Sequence, residues 1–231
     1  MIKVAIMQPT FLPWLGYFGL MQSVDVFVYL DDVQFSKQSW QSRNYIKSRN
    51  GKLLISLKVQ KASLQTTIHK IKLADDGNQG KILMSIEHCM RQTAHYEQVH
   101  SIVKNGFNEC QGGLVDLNIG IIEEIAKISG INTKIVKAST LGVRHGERVT
   151  RLVEICKEVG ADTYISPIGA QDYLHGDTSF NEAGIKFHFM NYEHPEYPQL
   201  FPPFIPYIGA IDALANVGPS TFAKLAKSGI K

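Results

Sequence analysis

The sequence predicts an α/β fold, a Rossmann-like three-layer sandwich whose sheet is mainly parallel. Two short apolar runs, Lys3–Met7 and residues 25–30, have the Val, Ile and aromatic content of buried strands. Residues 14–23 between them carry apolar side chains at helical spacing, directly after Pro13, a residue that suits the first turn of a helix. A strand, a helix and a strand in this order normally form a right-handed crossover between parallel neighbours.

The rest of the chain continues this alternation. Apolar residues at three- and four-residue spacing predict helices over residues 81–90, 118–128 and 147–159. Short apolar runs predict strands over residues 133–136, 163–166 and 186–190. Helices that alternate with strands in this way indicate a largely parallel sheet.

Two segments before residue 80 follow a different pattern. Residues 53–59 and 68–73 alternate apolar and polar side chains, and the first follows an Asn50-Gly51 turn signal. We expect them to add antiparallel strands to the sheet.

Near the C-terminus the composition shifts toward proline and aromatic residues. Residues 192–208 contain most of them, so a loop without regular structure is predicted there, followed by a last helix over residues 209–216. A chain of 231 residues lies within the range of single α/β domains, so we expect residues 1–231 to form one domain.

Composition excludes several classes of protein. With 44% apolar and 19% charged residues the chain can bury a core, which excludes wholesale disorder. Lys and Arg number 24 against 21 Asp and Glu, a balance too even to indicate nucleic-acid binding through bulk charge. No segment reaches the roughly 18 apolar residues of a transmembrane helix.

The cysteines and histidines predict neither a disulfide framework nor a metal site. Cys89, Cys110 and Cys156 are widely spaced without a Cys-x-x-Cys pair, and the eight histidines lack metal-ligand spacing. Unpaired cysteines fit a reducing cytoplasm, and the N-terminal apolar run is too short for a signal peptide, so we expect a cytoplasmic protein. The sequence leaves the oligomeric state open.

The loop after the first strand is the first candidate site. Residues 8–17 lead into the first helix, where backbone N–H groups and the helix dipole favour an anion such as phosphate. One alternative is that the two prolines merely fix a sharp turn. Another is a nucleotidylyltransferase-like enzyme, although the two histidines usual for that chemistry are absent here. The candidate substrate-binding residues are Gln8, Phe11, Trp14 and Tyr17.

The end of the second predicted strand is the second candidate site. Asp31 and Asp32 follow it, and the carboxylate that faces the ligand crevice is a candidate general base. The alternative is that backbone N–H groups of a turn satisfy both carboxylates. The residues after them are candidates for neutralising phosphates and for stacking a base or sugar, although ordinary solvated charge explains the basic ones equally well. These residues are Gln34, Lys37, Trp40, Arg43 and Asn44.

The proline- and aromatic-rich loop provides the third set of candidates. His194 is a candidate catalytic residue, and Tyr197 and Gln199 are candidate substrate-binding residues. The carboxyl ends of parallel strands meet at one edge of a sheet, and an irregular loop needs a surface to become ordered. We therefore expect residues 192–208 to dock on the site, so that candidates from all three segments line one pocket.

Several long motifs carry a resemblance to a known family. The first two read Gln-Pro-x-Phe-Leu-Pro-Trp-x-Gly-Tyr-Phe from Gln8 and Asp-Asp-Val-Gln-Phe-x-Lys-x-Ser-Trp-Gln-x-Arg-Asn from Asp31. The sequence resembles the WbqC-like protein family over nearly its whole length. The remaining matches are residues 139–152, Tyr164-Ile165-Ser166-Pro167, Tyr173, the segment Tyr192-x-His194-Pro195-x-Tyr197-Pro198-Gln199, Asp212, Asn216 and Gly218.

The resemblance implies a role in bacterial surface polysaccharide biosynthesis, including the O-antigen of lipopolysaccharide. It points to a transferase that moves an acyl or aminoacyl group, glycine among the candidates, to an amino sugar or nucleotide sugar. The partner would be a small-molecule substrate, and a nucleotide or an activated acyl donor is the candidate cofactor. In a different class, a non-catalytic protein that binds a nucleotide sugar or carbohydrate would use the same residues.

Overall fold

The computed structural model describes residues 1–143, 146, 148–171 and 176–231. Its central sheet has five strands, which lie in the order fifth, second, first, sixth and seventh along the chain, and all four neighbouring pairs are parallel. The predicted α/β class and mainly parallel sheet are therefore confirmed. The strands are β1 (Lys3–Met7), β2 (Val26–Tyr29), β5 (Lys134–Lys137), β6 (Thr163–Pro167) and β7 (Lys186–Met190).

The first two strands are parallel neighbours, as predicted. They pair from Val4 with Val26 to Met7 with Tyr29, and helix α1 (Leu15–Gln22) connects them. Because successive strand side chains point to opposite faces, the two strands supply both halves of the core. Ala5, Phe27 and Tyr29 enter one hydrophobic cluster, and Val4, Ile6, Val26 and Val28 enter the other.

Helices cover both faces of the sheet. The larger hydrophobic cluster packs under five helices, one of which is α1. The smaller cluster packs under α5 (Arg148–Glu158) and the short α6 (Ser179–Glu182). Within the described residues, no helix is long and apolar enough to span a membrane. The helices of the larger cluster are α2 (Asn78–Met90), α3 (Tyr96–Glu109), α4 (Leu114–Ile128) and α7 (Ile211–Ser228).

The two alternating segments do not extend the main sheet, so that prediction was wrong. β3 (Arg43–Ser48) and β4 (Gly51–Ser56) instead form a separate antiparallel hairpin, in which Gly51 has a φ of 104°. The turn brings β4 back onto β3, so the hydrogen bonds of β4 are satisfied locally. Residues Ile68–Lys70 form a 3₁₀ turn rather than a strand.

The last helix is longer than predicted. Gly218 has a φ of 75° and kinks α7, but the helix continues after Pro219, whose fixed φ suits a first turn. Phe222 and Ala226 of this second half are fully buried, which explains why the basic tail is helical. Tyr173, part of the family resemblance, and Glu147, the predicted start of α5, lie outside the described residues.

The contact between α1 and α7 depends on a glycine. A Cβ at Gly19 would lie 2.5 Å from the Ala226 carbonyl oxygen, whereas a Cβ at Gly120 on α4 would meet nothing within 4 Å. Gly19→Ala is therefore expected to lower the free energy of unfolding by about 1–3 kcal/mol, because the helices must separate. Gly120→Ala is the matched control and should raise it by up to about 1 kcal/mol. Urea denaturation measures both, and equal changes would contradict the close helix contact.

Candidate functional site

A cavity of about 810 Å³ opens at the carboxyl ends of β1 and β6. This is the switch point of the sheet, since the chain leaves β1 toward β2 and later returns to β6 on the other side of β1. Open parallel sheets bind ligands in such a crevice, and the volume suits a small molecule. We call it the strand-end cavity. Its polar and aromatic lining residues include Gln8, Gln34, Trp40, Arg148, Arg151 and Ser166.

Buried amides hold the loop that carries Gln8. The Gln41 amide donates to Gln8 Oε1 at 2.9 Å, so the N–H donors of Gln8 remain for the cavity. Asn118 on α4 donates to the carbonyl oxygens of Pro9, at 3.0 Å, and of Gln41, at 2.8 Å. Hydrogen bonds from α4, a helix of the larger core cluster, therefore hold the loop after β1 in place.

Arg151 is a buried cation in the wall of the cavity. Its Nη2 lies 2.5 Å from both carboxylate oxygens of Asp32, and both side chains are less than a tenth exposed. The Nε of Arg151 has no hydrogen-bond partner among the described residues. A buried donor without a partner costs about 1–3 kcal/mol.

A second arginine makes the cavity suited to an anion. Arg148 lines it one helical turn before Arg151, at the start of α5, and its side chain is exposed. Ser166 of β6 is fully buried, and its Oγ accepts a hydrogen bond from Tyr164 and donates one to the Pro167 carbonyl oxygen, both at 3.4 Å. The sequence reasoning missed both arginines, although two arginines three residues apart at the start of a crossover helix were a usable signal.

The two predicted carboxylates are engaged in contacts within the protein. Asp31 accepts hydrogen bonds from the Ser139 N–H at 2.9 Å and the Ser139 hydroxyl at 2.6 Å, and so ties the end of β2 to the segment after β5. Asp32 holds Arg151. Both carboxylates therefore have partners within the protein, as the alternative of satisfied carboxylates expected, and the general-base role of one of them stays a prediction.

A smaller cavity of about 300 Å³ adjoins the first. Both cavities are lined by Met7, Thr10 and Trp40, so they are contiguous. We call the smaller one the aromatic pocket. It is lined by Met7, Pro13, Trp14, Tyr17, Trp40 and Tyr207, with the polar residues Thr10 and Asn44.

Two other candidates hold the same loop together. Phe11 is fully buried, and its N–H donates to the Trp40 carbonyl oxygen at 2.9 Å, so this N–H is not available to an anion. The Asn44 amide donates to the carbonyl oxygens of Phe11, at 3.2 Å, and Leu12, at 2.6 Å. These contacts explain how Leu12 keeps a φ of 47°, in the left-handed region that disfavours most side chains.

The basic candidates lie apart from the arginines. Lys37 lines a third cavity of about 320 Å³ together with Gln34, whose amide donates to the Leu64 carbonyl oxygen. Arg43 lies half-buried on β3 and lines none of these three cavities. The candidates predicted to line one pocket are therefore spread over three cavities, two of them contiguous, and Arg43 lies outside all three.

The C-terminal loop packs beside the aromatic pocket. Trp14 lies 5.0 Å from Tyr192 and 5.5 Å from Tyr207, between ring centroids. His194 is surrounded by aromatic rings, 5.1 Å from that of Tyr207, and burial lowers its pKa. The predicted site residues His194, Tyr197 and Gln199 line neither the strand-end cavity nor the aromatic pocket, whereas Tyr207 of the same loop lines the aromatic pocket.

A buried polar network holds this loop in place. Asp212 at the start of α7 accepts hydrogen bonds at 2.8 Å from Tyr197 and Gln199, so these two candidates have a structural role. Burial raises the pKa of Asp212. The buried Lys47 ammonium donates to the Pro203 carbonyl oxygen, and burial lowers its pKa.

The described residues contain no group of three His, Cys, Asp or Glu side chains close enough to hold a metal ion. The three cysteines are buried and free. The groups that the two adjoining cavities offer a ligand are therefore guanidinium groups, amides, hydroxyls and aromatic rings.

Sequence comparison identifies the family. The sequence model of the WbqC-like protein family matches residues 8–224. The chain belongs to the WbqC-like protein family. It is also 31% identical over 222 residues to the uncharacterized protein Rv1507c of Mycobacterium tuberculosis strain H37Rv, with 94% of this chain and 95% of that protein covered. No solved structure matches the sequence. Both arginines of this WbqC-like protein, and every residue that lines the two cavities except Ile6 and Met7, fall within the matched region.

Proposed function

We propose that this WbqC-like protein is a transferase of bacterial surface polysaccharide biosynthesis. It binds a nucleotide-linked sugar in the strand-end cavity and transfers an acyl or aminoacyl group, glycine among the candidates, to an amino sugar. The observation that carries the binding half of the proposal is the pair Arg148 and Arg151 in a cavity at the switch point of a parallel sheet. The transfer half rests on the family resemblance.

The cavity chemistry supports a phosphate-bearing ligand. A guanidinium group presents N–H donors in a fork that matches phosphate oxygens, and it keeps its charge at any physiological pH. Arg151 is held in place by Asp32, so little freedom is lost when it meets a ligand. Gln8 adds amide donors from the carboxyl end of β1.

During transfer these groups would bind and orient the substrate. Arg151 and Arg148 would hold the phosphates and so position the sugar amine for attack on the acyl donor, whose thiol or phosphate leaves as the amide bond forms. Trp40 lies at the junction of the two cavities and is 53% exposed, so it can cover a bound ligand. Asp32 acts indirectly, by keeping Arg151 in position.

A second candidate function is a non-catalytic nucleotide-sugar-binding protein. One observation favours it: among the described residues that line the strand-end cavity, none is a carboxylate or a histidine. Acyl transfer to an ammonium group normally needs such a group to accept a proton. The two candidates predict the same binding and differ in turnover.

Binding is tested with a nucleotide sugar by titration calorimetry. Arg148→Ala should weaken binding by about one to two orders of magnitude, because a charge-assisted hydrogen bond to phosphate contributes roughly 1.5–3 kcal/mol. Lys157→Ala is the matched control, since Lys157 is an exposed cation on the same helix that lines a different cavity. An equal Kd for Arg148→Ala and the wild type would contradict the proposed phosphate site.

Turnover is tested by mass spectrometry of the product. The wild type is incubated with a panel of amino-sugar nucleotides and with either glycine and ATP or acyl thioester donors. The transferase proposal expects an acylated or aminoacylated sugar. Tight binding without any product would instead favour the non-catalytic candidate.

A further inference from the structure

The aromatic pocket has a different chemistry from the cavity it adjoins. Six of its eight lining residues present apolar or aromatic surface, and the polar atoms of Tyr17 and Asn44 are already used. The Tyr17 hydroxyl donates to the Gln8 carbonyl oxygen at 3.2 Å, and the Asn44 amide is taken up by loop carbonyl oxygens. The other polar groups of the lining are the hydroxyls of Thr10 and Tyr207 and the indole N–H groups of Trp14 and Trp40. The pocket therefore offers ring faces and few hydrogen bonds.

This chemistry selects among the parts of a nucleotide-linked sugar. A pyranose carries several hydroxyl groups, and each one buried without a partner costs free energy. A nucleobase is planar, has two π faces, and stacks on aromatic side chains with little dependence on hydrogen bonds. A volume of about 300 Å³ is sufficient for a base and part of its ribose.

The rings of the pocket are held ready before any ligand binds. Trp14 lies over Gly16, where a Cβ would come within 2.1 Å of the indole ring. Tyr207 has a φ of 57°, a conformation that disfavours a bulky side chain, and it is 53% exposed. Hydrogen bonds just after it keep this backbone in place, from the Gly209 N–H to Tyr45 and from the Ala210 N–H to Pro13, both at 2.8 Å. Strained residues held in this way are typical of ligand sites.

We propose that the aromatic pocket is a nucleobase subsite, in which the base stacks on the rings of Trp14, Trp40 and Tyr207. The pocket meets the strand-end cavity at Met7, Thr10 and Trp40, so a base bound here would direct its phosphates toward the arginines. The direction of the phosphates toward the arginines rests on the proposed function. The stacking of the base rests on the lining of the aromatic pocket alone.

The test compares ligands with and without a base. The probes are the five common nucleoside 5′-monophosphates, the corresponding nucleosides and ribose 5-phosphate, each titrated while tryptophan fluorescence or heat is recorded. At least one nucleotide should bind about tenfold more tightly than ribose 5-phosphate. Tyr207→Ala should reduce that preference to about twofold or less, because the loss of one stacked ring lowers the affinity for a base at least about fivefold.

Two further variants separate stacking from folding. Tyr207→Phe keeps the ring and should retain the base preference. Met84→Ala removes an exposed apolar side chain on α2, outside both cavities, and should leave all affinities unchanged. Tyr207→Ala should not alter the affinity for ribose 5-phosphate, which a general loss of folding would lower.

The outcomes distinguish this proposal from the proposed function. If ribose 5-phosphate binds in an Arg148-dependent way and no nucleotide binds better, the nucleobase subsite is wrong and the phosphate site stands. If a base preference depends on Tyr207 while Arg148→Ala has no effect, the subsite stands and the phosphate site is wrong. If none of the probes binds, both are wrong.

Discussion

Arg151→Met is expected to lower the free energy of unfolding by about 3 kcal/mol. The substitution leaves the Asp32 carboxylate buried without the guanidinium group that contacts both of its oxygens. Removing one partner of a buried ion pair typically costs about 3–5 kcal/mol, because the remaining charge has lost its solvent without compensation. Chemical denaturation followed by circular dichroism measures the change.

A double variant identifies the cause of this loss. Adding Asp32→Asn to Arg151→Met removes the buried charge as well, and about half of the lost stability should return. Lys157→Met replaces an exposed cation of the same helix and should change stability by less than about 0.5 kcal/mol. A double variant as unstable as the sum of both single variants would show that the pair is not coupled.

Asp212→Ala is expected to destabilise the fold by a similar amount, about 3 kcal/mol. The Tyr197 hydroxyl and the Gln199 amide would lose their common acceptor, and the buried Lys47 would lose a nearby negative charge. Asp212→Asn keeps an oxygen acceptor in the same place and should cost about 1 kcal/mol or less. Equal losses for the two variants would contradict the assigned network.

We also expect the difference in stability between the wild type and Asp212→Asn to depend on pH. Burial raises the pKa of Asp212 in the folded protein above its unfolded value of about 3.9, so the native state binds a proton more tightly than the unfolded state. The favourable contribution of Asp212 protonation to the stability of the folded protein is fully present below about pH 4. It is lost as the pH rises through the pKa of Asp212 in the folded protein. The stability of the wild type relative to Asp212→Asn should therefore fall as the pH rises above about 4.

The parallel sheet could be predicted because its strands are short, apolar and separated by helical patterns. The hairpin of β3 and β4 was harder to place. Its alternation shows only that one face is buried, and it does not show which sheet the strand joins. Helix α3 was not predicted, although Val99, Val103 and Phe107 have helical spacing and are buried. The end of α7 was misplaced since Gly218 and Pro219 can either stop a helix or restart one.

The candidate site was predictable in position and less so in detail. The ends of β1 and β2 follow from strand order, and Gln8, Gln34 and Trp40 line the strand-end cavity. The contacts of Asp32 depend on Arg151, more than a hundred residues away in the chain. No local pattern reveals such a pair. The same holds for Tyr197 and Gln199, which bind Asp212 instead of facing a cavity.

We propose that the strand-end cavity binds the phosphates of a nucleotide sugar. A crystal structure of the protein with a uridine diphosphate-linked amino sugar tests this directly. We expect diphosphate oxygens at hydrogen-bond distance, about 2.7–3.2 Å, from the guanidinium nitrogens of Arg148 and Arg151. A diphosphate bound in the third cavity against Lys37, with the strand-end cavity empty, would contradict it.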